Sequence, residues 1–381
     1  MPVNTMPVSP DDFEAALHTF AADPETAKLS IMAWGAPGIG KTETVERFAV
    51  ERARAQFPNM PHAELKKKFF RDIRLNSLEP LDLRGLPFLD RENRQSVFFQ
   101  PSFLPSEPGP GVIFLDEITT ADRRMQAPSY GLLNERRIGE YQVPEGWMIV
   151  AAGNGVEHGA IAYEMGTALA DRLVHYTVET NPTAWLEYGQ RSNRVNEVVL
   201  SYIKTKPNHL EMCQERVKSG DLIAPSPRGW VRVSKILGAH RARPMSNALL
   251  STSVAGVLGQ RVAADFMLHF NEMDSMVKVD QLMAAKTDAE IMKLLPKKVS
   301  ALHCMTYAFV SLLDEKTLPQ IFKILYNMRK IDDANVNAPE LSVAGFEMVM
   351  GKGIAKGLAK QIMNDETYKA YYAERKKQGL V

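Results

Sequence analysis

The 381-residue chain has only two cysteines, Cys213 and Cys304, with no CxxC or other metal-ligand spacing. A disulfide framework and a structural zinc site are thereby excluded. It also lacks an excess of charge of either sign. Lys and Arg total 46 against 45 for Asp and Glu, a formal +1, so no global field draws it to nucleic acid or to an anionic membrane. No run approaches the ~18 apolar residues of a membrane span; the nearest, Val299–Leu313, is interrupted by Ser, His and Thr. The opening MPVNTMPVSPDDFEAAL has no basic segment ahead of an apolar one, so no secretory signal, no membrane segment and a cytoplasmic location are expected. None of the eight histidines forms an HxxxH or HExxH pair, and each reads as a surface or core residue. What the chain does have is 45% hydrophobic residues, sufficient for a sizeable core. Its length allows roughly two to three domains at about 150 residues each.

The first half alternates strand and helix signals. Ser9-Pro10-Asp11-Asp12 before FEAALHTFA is a capped helix start. KLSIMAWG (Lys28–Gly35) is a short apolar strand leading into a glycine-rich turn and a helix over Lys41–Gln56. A second strand is expected at Phe69–Leu75, and a hairpin across Gly85–Pro101 around DRENRQ. Val112–Leu115 and Trp147–Ala152 are uninterrupted apolar runs, as central strands of a parallel sheet buried on both faces require, with a helix over Met125–Glu135 between them. Val174–Val178 offers a further strand. After Asn181-Pro182 the pattern turns helical, as in Leu318, Ile321, Phe322, Leu325, Met328 and Ile331. The fold class is therefore α/β followed by all-α.

Gly35-Ala36-Pro37-Gly38-Ile39-Gly40-Lys41-Thr42 matches GxxxxGK[ST] between a strand and a helix, the context its chemistry needs. Glycines let backbone N–H groups turn inward around phosphates, Lys41 adds a positive charge and the Thr42 hydroxyl can ligate Mg²⁺. Chance alone would give a bare glycine turn. Val112–Leu115 ends in Asp116-Glu117, which downstream of such a loop suits a metal-shell carboxylate and a water-activating one; the alternative is a solvated strand rim. Asn154 follows the apolar WMIVAAG and either positions a lytic water or is an ordinary Gly-Asn-Gly turn residue. Arg172 in ALADRLVHY and Arg228 in PSPRGW carry planar forks suited to phosphate oxygens, with surface ion pairing as the bland alternative. Arg136 and Arg137 read as a helix-end contact or a subunit interface. Lys352, Lys356 and Lys360 recur every four residues and read as a solvated face.

GAPGIGKT, LDEITTADRRMQAPSYGLLNERRIGEY, WMIVAAGN, LADRLVHYTVE and SPRGW, in this order between about Lys28 and Arg232, resemble the AAA+ ATPases and within them the MoxR-like, dynein-related branch. The resemblance implies a P-loop NTPase αβα sandwich over residues 1–182, a helical lid over 183–272 and a helical C-terminal extension over 273–381 that it does not cover. It implies ATP and Mg²⁺ as ligands. Gly35, Ala36, Pro37, Gly38, Ile39, Gly40, Lys41, Thr42 and Glu43 become the nucleotide-binding set, and Thr42 and Asp116 the metal set. Glu117 becomes the catalytic base, Asn154 sensor 1, Arg172 the arginine finger reaching a neighbour's nucleotide, and Arg228 sensor 2. Leu86–Pro101 takes the place of the branch's helix-2 insert, and the aromatic-hydrophobic-glycine pore loop is not evident. Hydrolysis at the subunit interfaces of a homo-hexameric ring, chaperone-like remodelling of a protein client, and a partner with a von Willebrand factor A-type domain follow as further implications. Two other readings of the same chassis are a nucleic-acid motor or loader, which near-zero charge disfavours, and a nucleotide-gated scaffold without turnover, which Glu117 disfavours.

Overall fold

The computed structural model describes residues 5–121, 123–155, 165–333 and 336–377. The chain divides into two compact units, one comprising Met1–Asn181, Glu211–Leu222 and Ser226–Arg228, the other Pro182–Leu210, Ile223–Pro225 and Gly229–Val381. In the first unit the strands are β1 (Pro7–Val8), β2 (Ser30–Trp34), β3 (Phe70–Arg74), β4 (Leu86–Asp90), β5 (Gln95–Phe99), β6 (Val112–Asp116), β7 (Arg137–Ile138), β8 (Tyr141–Gln142), β9 (Met148–Gly153) and β10 (Leu173–Val178). Its helices are α1 (Pro10–Ala22), α2 (Lys41–Gln56), α3 (His62–Phe69), α4 (Pro80–Arg84), α5 (Arg123–Tyr130, continued by a π-helical turn over Gly131–Glu135) and α6 (Thr167–Ala170).

Six strands form one parallel sheet in the order β1-β10-β2-β9-β6-β3; β4–β5 and β7–β8 are separate antiparallel hairpins. Alternation sends Ile113, Leu115, Ile149 and Ala151 to one face, against Leu65, Phe69 and Leu132. Val112, Phe114, Met148 and Val150 go to the other, against Phe13, Leu17 and Phe48. Both faces are covered, which is why these strands read as unbroken apolar runs. This is the expected α/β P-loop sandwich, and the expected strand, helix and hairpin signals of this half are all present within a residue or two.

Helix α1 begins where the sequence says it should: the Ser9 hydroxyl accepts from the Asp12 N–H at 3.1 Å, with Pro10 at the first position. The α1 residue Glu14 is 8% exposed and its carboxylate is clasped by Arg47 of α2, whose Nε donates at 2.7 and 2.8 Å.

The second unit is helical: α7 (Pro182–Ser192), α8 (Glu197–Thr205), then, beyond α9 (Cys213–Ser219) of the first unit, α10 (Pro227–Ala242, in this unit from Gly229), α11 (Asn247–Leu258), α12 (Gln260–Met276), α13 (Val279–Ala284), α14 (Asp288–Leu294), α15 (Val299–Leu312), α16 (Leu318–Met328), α17 (Ala338–Ala355), α18 (Ala359–Asn364) and α19 (Glu366–Lys377). Helix α15 lies along α8, so the helices before and after residue 272 share one packed body. Phe346 of α17 stacks between Phe322 of α16 (5.2 Å) and Tyr371 of α19 (4.0 Å) at the centre of its core. Two of the three lysines read as a solvated stripe have structural work. The Lys352 ammonium donates to the carbonyls of Gln190 (2.9 Å) and Arg191 (2.6 Å) at the end of α7, and Lys356 donates to Leu313 O (2.6 Å). A cation at a helix C-terminus satisfies orphan carbonyls and opposes the helix dipole. Among the described residues no helix is long and apolar enough to cross a membrane.

Removing the guanidinium that clasps Glu14 leaves a largely buried carboxylate without its partner. Arg47→Met is expected to lower unfolding free energy by about 2–3 kcal/mol, and Glu14→Gln combined with it to recover part of that loss. Denaturant melts of the three proteins check this; an Arg47→Met midpoint equal to the parent's would show that the pair contributes nothing.

Candidate functional site

The site lies at the carboxyl ends of β2, β9 and β6. Because β9 sits between the other two, the residue after its end is held between the loop that follows β2 and the acids that end β6. The loop is shaped by backbone demands. Gly40, which caps α2, has φ +104°, open to glycine and strained for other residues. A Cβ on Gly35 would fall 2.5 Å from the carbonyl oxygen of Val178 on β10, so only glycine lets the loop leave the sheet there.

Lys41, the first residue of α2, is 8% exposed. Its ammonium donates to Gly35 O (2.7 Å), Ala36 O (3.1 Å) and Asn154 Oδ1 (2.9 Å). Burial pulls its pKa down to about 8; Asp116 opposes that shift, Arg228 adds to it, and Cys213 and Glu117 oppose it more weakly. The Thr42 hydroxyl donates to Asp116 Oδ2 at 3.3 Å. Hydroxyl and carboxylate oxygens are the hard donor set that Mg²⁺ takes.

Glu117 has a left-handed backbone, φ +58°. The turn is tied by Asp116 Oδ1 accepting from the Glu117 N–H (2.9 Å) and by Thr120, whose N–H and hydroxyl both donate to Glu117 O at 2.9 Å. Its carboxylate accepts from the side-chain amide of Asn76, just past β3. Asn154 is fixed by Thr119: the Asn154 N–H donates to Thr119 Oγ1 and the hydroxyl donates back to Asn154 O, both 3.2 Å. Asn76 and Thr119 escape sequence reasoning. Their only signal is a polar residue just beyond a strand, which most turns share.

Arg228 comes to the loop: its N–H donates to Gly38 O at 3.2 Å, and a Cβ on Gly38 would lie 3.2 Å from its own Cβ. Its side chain is exposed, as is that of Glu43 in the first turn of α2. Arg172 is not in this cluster. It directly precedes β10, whose Leu173 pairs with Ser30 at the amino-terminal end of β2, while the loop leaves the carboxyl end beyond Trp34. The two ends are about 13 Å apart along the strand. Arg136 is engaged within the unit, donating to Trp147 O (2.6 Å) and Lys28 O (3.4 Å), and Arg137 pairs with Glu135 at 3.1 Å. Together these groups make a cationic cradle facing two carboxylates and an amide, an arrangement able to hold a polyphosphate and direct a water at it.

No family model matches the chain, and no curated protein matches it. Solved structures similar to it include an ATPase from Cytophaga hutchinsonii described as putative in its own name (14% identity, TM-score 0.33, 87% of this chain and 79% of that one). Another is NtrX from Brucella abortus in complex with ADP (13%, 0.38, 100% and 70%). A third is a point mutant of RuvB from Thermotoga maritima (13%, 0.35, 68% and 71%). Likenesses this slight carry no functional weight; the cradle and its carboxylates do.

Proposed function

We propose that the protein is a Mg²⁺-dependent ATPase of the AAA+ type and MoxR branch, catalysing ATP + H₂O → ADP + phosphate at subunit interfaces of a homo-hexameric ring and using the cycle to remodel or activate a client protein. The observation that carries this is the buried Lys41 ammonium, reached by loop carbonyls and Asn154 with Asp116 and Thr42 beside it. A buried cation with no carboxylate in direct contact among the described residues is stabilised by an arriving polyanion, and backbone N–H groups at the start of α2 favour the same charge.

In this reading residues 35–43 hold the triphosphate, with Lys41 on its terminal phosphates. Mg²⁺ held by Thr42 and Asp116 would supply charge neutralisation between the phosphates. Glu117 takes the proton of the attacking water, and the Asn76 amide on the same carboxylate orients it. Asn154 sits at the terminal phosphate as sensor 1, and Arg228 over Gly38 reads the same nucleotide as sensor 2. Arg172, at the far end of its strand, serves a neighbour's nucleotide, and head-to-tail repetition of that contact closes a ring. Residues 183–272, apart from 211–222 and 226–228 of the α/β unit, act as the lid, and 273–381 as an extension that packs in one body with it. The β4–β5 hairpin presents Leu86, Phe88, Leu89 and Phe99, each more than half exposed, as a surface for the client, for which a protein with a von Willebrand factor A-type domain is the first to try.

Because Lys41 has a pKa of about 8 and a bound triphosphate raises it, binding takes up a proton above that pH. The Kd for ATP should be flat from pH 7 to 8 and then weaken by up to about tenfold per unit to pH 9.5; titration calorimetry in two buffers of different ionisation heat reads both affinity and proton uptake. A flat profile to pH 9.5 would mean that burial does not hold the Lys41 pKa at about 8 in the free protein. Glu117→Gln should keep ATP affinity within a few-fold and lose roughly 10²–10⁴ in turnover, read by phosphate release. Parent-rate hydrolysis by that variant would place the base elsewhere, and a parent enzyme without turnover would favour the scaffold reading. Arg172→Ala should lose roughly 10³ or more in kcat, yet regain activity when mixed with Lys41→Ala subunits, which bind no ATP but still present Arg172. Absence of rescue would mean that Arg172 acts within its own subunit.

A further inference from the structure

We infer that His175 is a positioning residue for Arg172, holding the turn that carries this arginine against the strand that feeds the phosphate loop; the inference rests on the reading of Arg172 as an arginine acting on a neighbour. His175 lies in the middle of β10, paired in register with Met32 of β2. Its Nδ1 accepts from the Trp34 indole N–H at 2.8 Å. An indole nitrogen only donates, so Nδ1 carries no proton and the ring's proton sits on Nε2. Nε2 faces Ala170 O at 2.8 Å and therefore donates to it. The ring lies parallel to the indole, 18° between planes with centroids 6.1 Å apart.

The two partners mark the two ends that the site must connect. Trp34 is the last residue of β2 and precedes Gly35 of the phosphate loop. Ala170 is the last residue of α6, two before Arg172, and its turn is closed by Asp171 N–H to Thr167 O (3.0 Å) and Arg172 N–H to Leu169 O (3.1 Å). Fixing the Ala170 carbonyl fixes the direction in which the chain leaves α6 and so the position of the Arg172 Cα. One imidazole thus links the side chain of the residue before the loop to the turn before the arginine. A long side chain delivered across an interface needs this, because a misplacement of about 1 Å costs on the order of 10²-fold in rate. Both bonds exist only for the neutral ring with its proton on Nε2.

The test uses subunit mixing of the full-length protein. Arg172→Ala subunits, whose loops are intact, are mixed with Lys41→Ala donors, and the restored phosphate release is the reference. Donors carrying Lys41→Ala and His175→Phe keep an aromatic ring but no polar atoms; they should restore roughly tenfold less or worse, the usual range for losing a group that orients an active one. Donors with Lys41→Ala and His175→Gln, whose amide accepts through Oε1 and donates through Nε2, should restore most of it. Equal restoration by the His175→Phe donors overturns the inference while leaving the role of Arg172 standing. No restoration even by the plain Lys41→Ala donors overturns both, which separates the two failures. Should the His175→Phe chain not assemble, Trp34→Phe in the otherwise intact enzyme decides. A fall in kcat with the KM for ATP held within about twofold supports the inference, and an unchanged kcat or a matching rise in KM, the mark of a disturbed loop, overturns it.

Discussion

A single ammonium group organises the carboxyl end of the sheet. Lys41 starts a helix, yet its side chain folds back under the loop it follows, to the carbonyls of Gly35 and Ala36 and to Asn154 at the end of a different strand. Burying a cation in that position is costly unless acceptors surround it. The acceptors exist only if β2 and β9 are neighbours and end at the same level, as their register from Ser30 with Ile149 to Trp34 with Gly153 provides. The positions of the loop, the Asn154 amide and the Asp116 carboxylate are thus consequences of one strand arrangement.

The arrangement explains the division of labour between residues. Placing β9 between β2 and β6 sets Asn154 beside Lys41 and brings Thr42 within hydrogen-bond reach of Asp116. The neighbouring pair β6 and β3 does the same for Glu117, since Arg74 stands opposite Asp116 and Asn76 follows close enough to hold the Glu117 carboxylate. At the other flank, β10 carries Arg172 away from this site, and His175 returns the connection through Trp34.

Much of this was legible in the sequence because it is encoded locally. The eight residues of the loop, the apolar runs ending in Asp116-Glu117 and Asn154, and the change to helical periodicity after Pro182 are short patterns with strong physical meaning. What was not legible depends on contacts between distant segments. Cys213–Ser219 and Ser226–Arg228 belong to the α/β unit although helices of the other unit flank them. Lys352 and Lys356 have the spacing of a solvated stripe, and periodicity does not reveal that carbonyl ends at Arg191 and Leu313 lie in front of them. Asn76 and Thr119 look like any polar turn residue until their partners are known. Arg136, open between two readings in the sequence, donates to backbone carbonyls of Trp147 and Lys28.

The left-handed backbone of Glu117 has a consequence of its own. A β-carbon in that region costs on the order of 1 kcal/mol, which glycine alone avoids. The turn is therefore kept tense at the very α-carbon from which the Glu117 carboxylate hangs, and its bonds with Thr120 and Asp116 are what hold it bent. Conformational comfort and side-chain chemistry are opposed at this position: the residue that would relax the chain most has no carboxylate to offer.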